Sequence, residues 1–132
     1  MKNNHIRIVF ALLAATLWIS LSEFTRNQWA LHDIWVSHFT SLHEVFPETP
    51  VNGAIWGLWS LLFAVFMFRL SSRFSFWESV GLSWLTCFLM MWIVTGNLSI
   101  LPVRILPIAI PWSLAETMIA ILLIKKISAK NP

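Results

Sequence analysis

Four long apolar stretches constrain this chain more than any other feature of its sequence. They cover residues 8–24, 51–70, 74–96 and 105–124, and each reaches or approaches the roughly 20 residues that a helix needs to cross a bilayer. The sequence therefore predicts an all-α integral membrane protein. We expect a single membrane domain over residues 1–132, with four transmembrane helices in an antiparallel bundle.

The composition agrees with a membrane protein and argues against several other classes. Hydrophobic residues make up 58% of the chain and charged residues 11%, whereas about a quarter of the residues in soluble domains are charged. The formal charge of +3 is too small and too scattered for a nucleic-acid partner. The single cysteine, Cys87, excludes an internal disulfide framework, and no metal or cofactor motif accompanies it. We expect no cofactor and no metal.

The distribution of Lys and Arg predicts the orientation of the four helices. Arg26 and Arg104 fall on one side, and seven basic residues fall on the other: Lys2, Arg7, Arg69, Arg73, Lys125, Lys126 and Lys130. Since cytoplasmic loops collect basic residues, we expect both termini in the cytoplasm of a cell with a bacterial-type inner membrane. In a rival interpretation, residues 1–22 are a cleaved signal peptide, because Ser20 and Ser22 have small-x-small spacing. We favour an uncleaved helix, since polar positions continue past that point at helical spacing.

The long loop between the first two spans predicts an additional helix over residues 28–46. Its apolar residues recur at spacings of four, four, three and four, which makes one stripe on an amphipathic helix at the outer interface: Leu31, Trp35, Phe39, Leu42 and Phe46. The spacings of His32, His38 and His43 do not bring their rings together, so we do not predict a metal site there. After this loop, Thr49 is the expected N-cap of the second span and Pro50 its first helical residue.

Polar residues form a line through the predicted bundle towards its outer end. Thr16, Ser20, Glu23 and Asn27 follow one another at spacings of four, three and four on the first span. Because a polar stripe is costly against lipid, it should face the other helices or a wet cavity. By depth, the side chains expected at the same outer mouth are Asn52, Asn97, Arg26 and Arg104. Glu23 is expected to pair with one of the two arginines, an arrangement that also suits a purely structural cap.

Glu116 is the strongest single indication of function. It lies near the middle of the fourth span, where a charged side chain costs roughly 2.5 kcal/mol or more. Depth counting places no Lys, Arg or His beside it, so in a dry bundle it would be protonated and donate a hydrogen bond, for example to Thr16 or Ser60. Trp112 and Ser113 precede it by four and three residues and share its face. If water reaches Glu116, it can act as a proton carrier, an acid or a cation site. The alternative is a neutral side chain that joins two helices.

The stretch VNGAIWGLWS, residues 51–60, combines small and large side chains at the outer end of the second span. Gly53 and Gly57 form a GxxxG motif, which favours close approach of another backbone, either within the chain or in a dimer. The indoles of Trp56 and Trp59 are typical of an interfacial belt or of pocket walls.

Three functional interpretations are compatible with these features. The one we favour is a small membrane protein that binds a small apolar or lipid-like molecule in an intramembrane pocket open to the outer side. Its candidate ligand-binding residues are Glu23, Asn27, Asn52, Trp56, Trp59, Asn97, Trp112, Ser113 and Glu116. The second is a lipid-modifying or isomerase-type enzyme with Glu116 as acid/base. The third is a non-catalytic accessory subunit of a larger membrane complex. Membrane lipid is the expected partner in each case, and a homodimer is compatible with all three.

Overall fold

The computed structural model describes residues 2–129, which are all-helical apart from turns and short loops. Lys130, counted above among the basic residues, lies outside the described residues. In chain order the helices are α1 (Lys2–Phe24), α2 (His32–Ser41), α3 (Pro50–Ser71), α4 (Phe76–Trp84), α5 (Met90–Asn97) and α6 (Leu106–Ser128). Two wider π-helical segments continue α1 over Thr25–Ala30 and join α4 to α5 over Leu85–Leu89, and a short 3-10 turn, Val103–Ile105, precedes α6.

Four helices are long and apolar enough to cross a membrane, as the sequence predicted. They are Asn4–Ala30, Pro50–Ser71, Phe76–Asn97 and Val103–Ser128. The first is longer than the predicted 8–24 because the chain stays helical through the polar residues at both ends. The amphipathic helix is shorter than predicted: α2 spans His32–Ser41 rather than residues 28–46, because residues 25–30 belong to the first span and a turn follows Ser41.

Helix ends follow the expected capping chemistry. Thr49 caps α3 in a reciprocal arrangement with Asn52, and Pro50 occupies the first turn, which confirms the predicted start of this span. Ser75 and Glu78 form the corresponding capping box at the start of α4. Lys125 and Lys126 lie in the last turn of α6, where positive charge is favourable.

The helices meet around a core in which α1 packs mainly against α6 and α3. Ala11 and Ala15 are fully buried on α1, and these small side chains let the neighbouring helices approach closely. At one end, which we call the termini end, Arg7 donates to the carbonyl of Ile127 and Lys125 to that of Phe74. The opposite end, the loop end, carries α2 and residues 98–105.

Candidate functional site

Three buried charged side chains meet between α1 and α6, and we call Glu23, Arg26 and Glu116 the charge cluster. Their exposed fractions are 4%, 3% and 1%. Arg26 donates from Nη2 to Oε1 of Glu23, which confirms the expected pairing of that carboxylate with one of the two arginines. Its Nη1 lies 3.6 Å from Oε2 of Glu116, and its guanidinium carbon is 5.3 Å from the centre of the Phe88 ring. One guanidinium therefore serves two carboxyl groups.

Sequence reasoning placed Arg26 at the mouth and no cation at the depth of Glu116, and the structure corrects this. The Cα–Cβ bonds of a helix tilt towards its N-terminus. On α1 this directs Arg26 back towards the middle of the span, whereas on α6 it directs Glu116 towards the loop end. The two side chains thus lean towards each other, and depths counted from Cα positions missed the contact.

Glu116 is held by side chains of α1 and of its own helix. Ser22 donates to its Oε2 over 2.5 Å and accepts a hydrogen bond from Nε1 of Trp112 over 3.1 Å. Nε1 of Trp18 donates to the Glu116 backbone carbonyl over 3.0 Å. The hydrogen-bond partner of the Glu116 carboxyl is thus Ser22. Thr16 and Ser60, the partners suggested by depth, donate instead to carbonyls of their own helices.

Asn27 connects the charge cluster to α2. Its Nδ2 donates to Oε2 of Glu23 over 2.9 Å, and its Oδ1 accepts from Nε1 of Trp35 over 3.1 Å. The π-helical segment that contains Asn27 ends at a bond from the Leu31 N–H to the Arg26 carbonyl, five residues earlier, over 2.9 Å. This wider turn positions Asn27 between the buried carboxylate and the indole.

Two atoms of the charge cluster lack a hydrogen-bond partner among the described residues. They are Nη1 of Arg26 and Oε1 of Glu116, both inaccessible to solvent. Oε1 of Glu23 and Oε2 of Glu116 share the guanidinium of Arg26, so two negative charges and one positive charge would be buried together if both carboxyls were ionised. With Arg26 charged, the cluster is neutral when it holds one proton and carries a net negative charge when it holds none.

A large cavity of about 860 Å³ opens next to the charge cluster at the loop end. It lies among α1, α2, α3, α5 and the start of α6. Its aromatic walls are Phe24, Trp35, Phe39, Phe46, Trp56 and Trp92, and its polar lining includes Ser20, Glu23, Arg26, Asn27, Gln28, His32, Glu48, Asn52 and Thr95. The cavity is therefore amphiphilic, with Glu23 and Arg26 on one side, His32 and Glu48 at the α2 side, and mostly apolar surface between them.

A second, smaller recess of about 390 Å³ lies between α1 and α6. Trp18, Ser22, Trp112 and Glu116 line it, together with Leu21, Thr25, Ala115 and Ile119. Glu23 and Arg26 line the large cavity and Glu116 lines the small recess, so the charge cluster lies between the two spaces.

The structure brings together some of the predicted site residues and separates the others. Glu23, Asn27, Asn52 and Trp56 line the large cavity, and Trp112 and Glu116 line the small recess. The other three lie elsewhere: Trp59 packs against Phe63 and Phe88, Ser113 accepts from Trp84, and Asn97 is exposed at the end of α5.

The GxxxG motif does not make the contact within the chain that was one of its two predicted uses, and the dimer contact stays a prediction. A Cβ added at Gly53 or Gly57 would meet no atom within 4 Å, so no other helix of residues 2–129 approaches closely there. Both glycines instead line the large cavity. The missing side chains thus leave room in the cavity wall.

His32, the first residue of α2, contacts two carboxylates. Its Nε2 is 2.9 Å from Oε1 of Glu48, and its Nδ1 is 3.5 Å from Oδ1 of Asp33. These carboxylates, Glu48 first, raise the pKa of His32 above its ordinary value. Within residues 2–129, no three His, Cys, Asp or Glu side chains gather in a way that could hold a metal ion.

Sequence reasoning missed Ser22, Trp35 and Trp92. In the sequence, Ser22 stands out only as part of a possible cleavage motif, although it lies four residues before Arg26 and hence on the same face of the helix. Trp35 belongs to an apolar stripe, and that pattern does not show that its N–H takes part in the site. No pattern in the sequence marks Trp92.

Comparisons with models of protein families, with curated proteins and with solved structures find no match for this chain.

Proposed function

We propose that this protein binds a small apolar or lipid-like molecule in the large cavity. The observation that carries the proposal is a space of about 860 Å³ with an aromatic lining and a few convergent polar groups. Small-molecule sites are typically concave spaces of about 300–1,000 Å³ with a mostly apolar lining and few polar anchors. Trp56 and Trp35 supply walls, while Glu23, Asn27 and Asn52 supply polar anchors.

We place the cavity at the outer side of a bacterial inner membrane, in an antiparallel four-helix bundle with cytoplasmic termini. The contacts of Arg7 with Ile127 and of Ser22 with Glu116 support opposite directions for the first and last spans. The excess of Lys and Arg at the termini end supports a cytoplasmic position for that end. On this arrangement the cavity is reached from the outer leaflet or from the outer solution.

The test fills the cavity without touching its charged groups. Gly57→Leu puts a branched side chain into the lining, where the present glycine has no neighbour within 4 Å. Gly81→Leu is the matched control, because Gly81 also has open space around it but lies on α4 outside the cavity. Protein in phosphatidylcholine nanodiscs is titrated with phenylbutanol, a neutral amphiphile, and binding is followed by calorimetry.

We expect Gly57→Leu to lower the affinity about tenfold or more, a loss of about 1.4 kcal/mol, and Gly81→Leu to leave it unchanged. Native mass spectrometry of both variants then shows whether lipid that stays bound to the original protein is lost only from Gly57→Leu. Equal binding and equal lipid retention by the two variants would refute a ligand site in this cavity.

An enzymatic role for Glu116 is a second candidate, supported by its position in the small recess and by its unpartnered Oε1. In that case the carboxyl exchanges a proton with a lipid-soluble substrate as general acid or base. Conversion of extracted lipids by the protein, abolished in Glu116→Gln, is the result that favours this candidate. No conversion by the unaltered protein excludes it.

A further inference from the structure

We infer that the molecule bound in the large cavity is an organic cation, a hydrophobic amine or quaternary ammonium, which enters as the charge cluster gives up a proton. This inference rests on the proposed function, because it specifies the chemical class of the ligand for the same cavity. It follows from the charge of the cluster, its place in the cavity wall and the aromatic lining.

The charge cluster has one positive group for two carboxyl groups. Two carboxyl groups share the single guanidinium of Arg26, and among the described residues no other Lys, Arg or His lies within ion-pair distance of Glu23 or Glu116. Within residues 2–129, no charged side chain of α3, α4 or α5 contacts either carboxyl. A buried net charge is costly, so the cluster needs one more positive charge, either a proton or an external cation.

The large cavity provides space for an external cation beside the charge cluster. Within residues 2–129, Oε1 of Glu116 has no hydrogen-bond partner, although only 1% of the residue is exposed. Glu23 and Arg26 themselves line the large cavity, so a cation in the cavity interacts with the cluster directly at Glu23 and through it with Glu116. A second carboxylate, Glu48 in the loop between α2 and α3, also lines the large cavity.

The apolar walls suit the same class of ligand. Cations are attracted to the faces of aromatic rings, and this attraction grows when water is excluded. Trp56, Trp35 and Trp92 line the cavity from three different helices, α3, α2 and α5. An anionic ligand has no comparable partner, because Arg26 is already shared by two carboxyls and His32 faces Glu48.

Binding of the cation and of the proton then exclude one another. The protonated protein takes up the ammonium ion and releases one proton to water, so that the buried site stays neutral before and after the exchange. For a quaternary ammonium, which has no proton of its own, linkage predicts an affinity that rises by up to about tenfold per pH unit while the cluster is protonated.

The experiment compares three probes with the same phenylbutyl body in nanodiscs of zwitterionic phosphatidylcholine. They are phenylbutyl-trimethylammonium, phenylbutanol and phenylbutyrate. We expect the ammonium ion to bind about tenfold or more tightly than the alcohol, and the carboxylate to bind most weakly. Calorimetry in two buffers with different heats of ionisation measures the proton release on the unaltered protein, without any substitution.

Glu116→Gln then isolates the charge while keeping the shape of the side chain. The cluster becomes neutral with Glu23 ionised, so we expect the preference for the ammonium ion over the alcohol to fall to the contribution of the aromatic rings alone, with no proton release and no pH dependence. Glu44→Gln, an exposed carboxylate outside the cavity, is the control and should leave the preference unchanged.

Each other outcome is decisive. If the ammonium ion and the alcohol bind equally, and Gly57→Leu weakens both, the inference fails while the proposed function stands. Preferred binding of the carboxylate, or tight binding of the ammonium ion without proton release, also overturns the inference. If Gly57→Leu changes no probe, the proposed function itself fails.

Discussion

Removing Arg26 is the most direct way to measure what holds the middle of this protein together. Arg26→Met keeps an unbranched side chain of moderate length but leaves Glu23 and Glu116 without a cation. Because the two carboxyls are 4% and 1% exposed, water cannot replace the guanidinium. Truncating one partner of a buried ion pair costs about 3–5 kcal/mol, and the lost contact with the Phe88 ring adds about 0.5–2 kcal/mol.

The assay is reversible unfolding in mixed micelles, with Arg104→Met as the matched control because Arg104 is exposed. We expect Arg26→Met to lower the free energy of unfolding by about 3 kcal/mol or more and Arg104→Met to change it by less than about 0.5 kcal/mol. Adding Glu23→Gln and Glu116→Gln to Arg26→Met should restore most of the loss, since no buried charge then remains. A loss below about 1 kcal/mol for Arg26→Met, or no recovery in the triple variant, would refute our account of the charge cluster.

Three smaller perturbations test the surroundings of the cluster. Ser22→Ala removes the hydroxyl that donates to Glu116. We expect it to lower the free energy of unfolding by about 1.5–3 kcal/mol, measured in the same micelles. An unchanged stability would contradict this hydrogen bond. Asn27→Leu removes the amide that links the cluster to α2, so hydrogen exchange of α2 should become faster while exchange at the termini end stays the same. The pKa of His32 is raised by its carboxylate partners, so the contact with Glu48 is stabilising below the ordinary His pKa, as long as Glu48 is ionised, and is lost as pH rises through the His32 pKa in the folded protein. Glu48→Gln should lower that pKa towards its ordinary value in an NMR titration, and an unchanged pKa would show that the contact is absent.

The sequence predicted the membrane-spanning segments well because their signal is local. A run of apolar residues indicates a span wherever it packs, and the cap of α3 depends only on the neighbouring residues Thr49, Pro50 and Asn52. These features need no knowledge of tertiary contacts. The start of the second span and the number of apolar helices were accordingly predicted correctly.

The candidate site was harder to predict because it depends on side-chain direction and on helix rotation. Counting depth along Cα atoms ignored the opposite tilts of Arg26 and Glu116. The face of Asn97 depended on regular α-helical turns, whereas a π-helical segment precedes its helix over Leu85–Leu89. Trp59 lies on the uninterrupted helix α3, and its packing against Phe63 and Phe88 depends on the rotation of that helix. Glu23, Asn27, Asn52 and Trp56 line one cavity at one end of the bundle, as predicted, because depth depends on position along a helix and not on its rotation.

The wide turn over Thr25–Ala30 makes the loss and the gain of one residue unequal in this part of the chain. A π turn accommodates one residue more than an α-helical turn of the same height, and it occurs often at functional positions. Deleting one residue therefore lets the segment close into regular α-helical turns while the chain beyond it keeps its direction. Inserting one residue has no such outlet and would turn Trp35 and the rest of α2 by about 100° relative to Glu23. In this region, a one-codon insertion is therefore more damaging than a one-codon deletion.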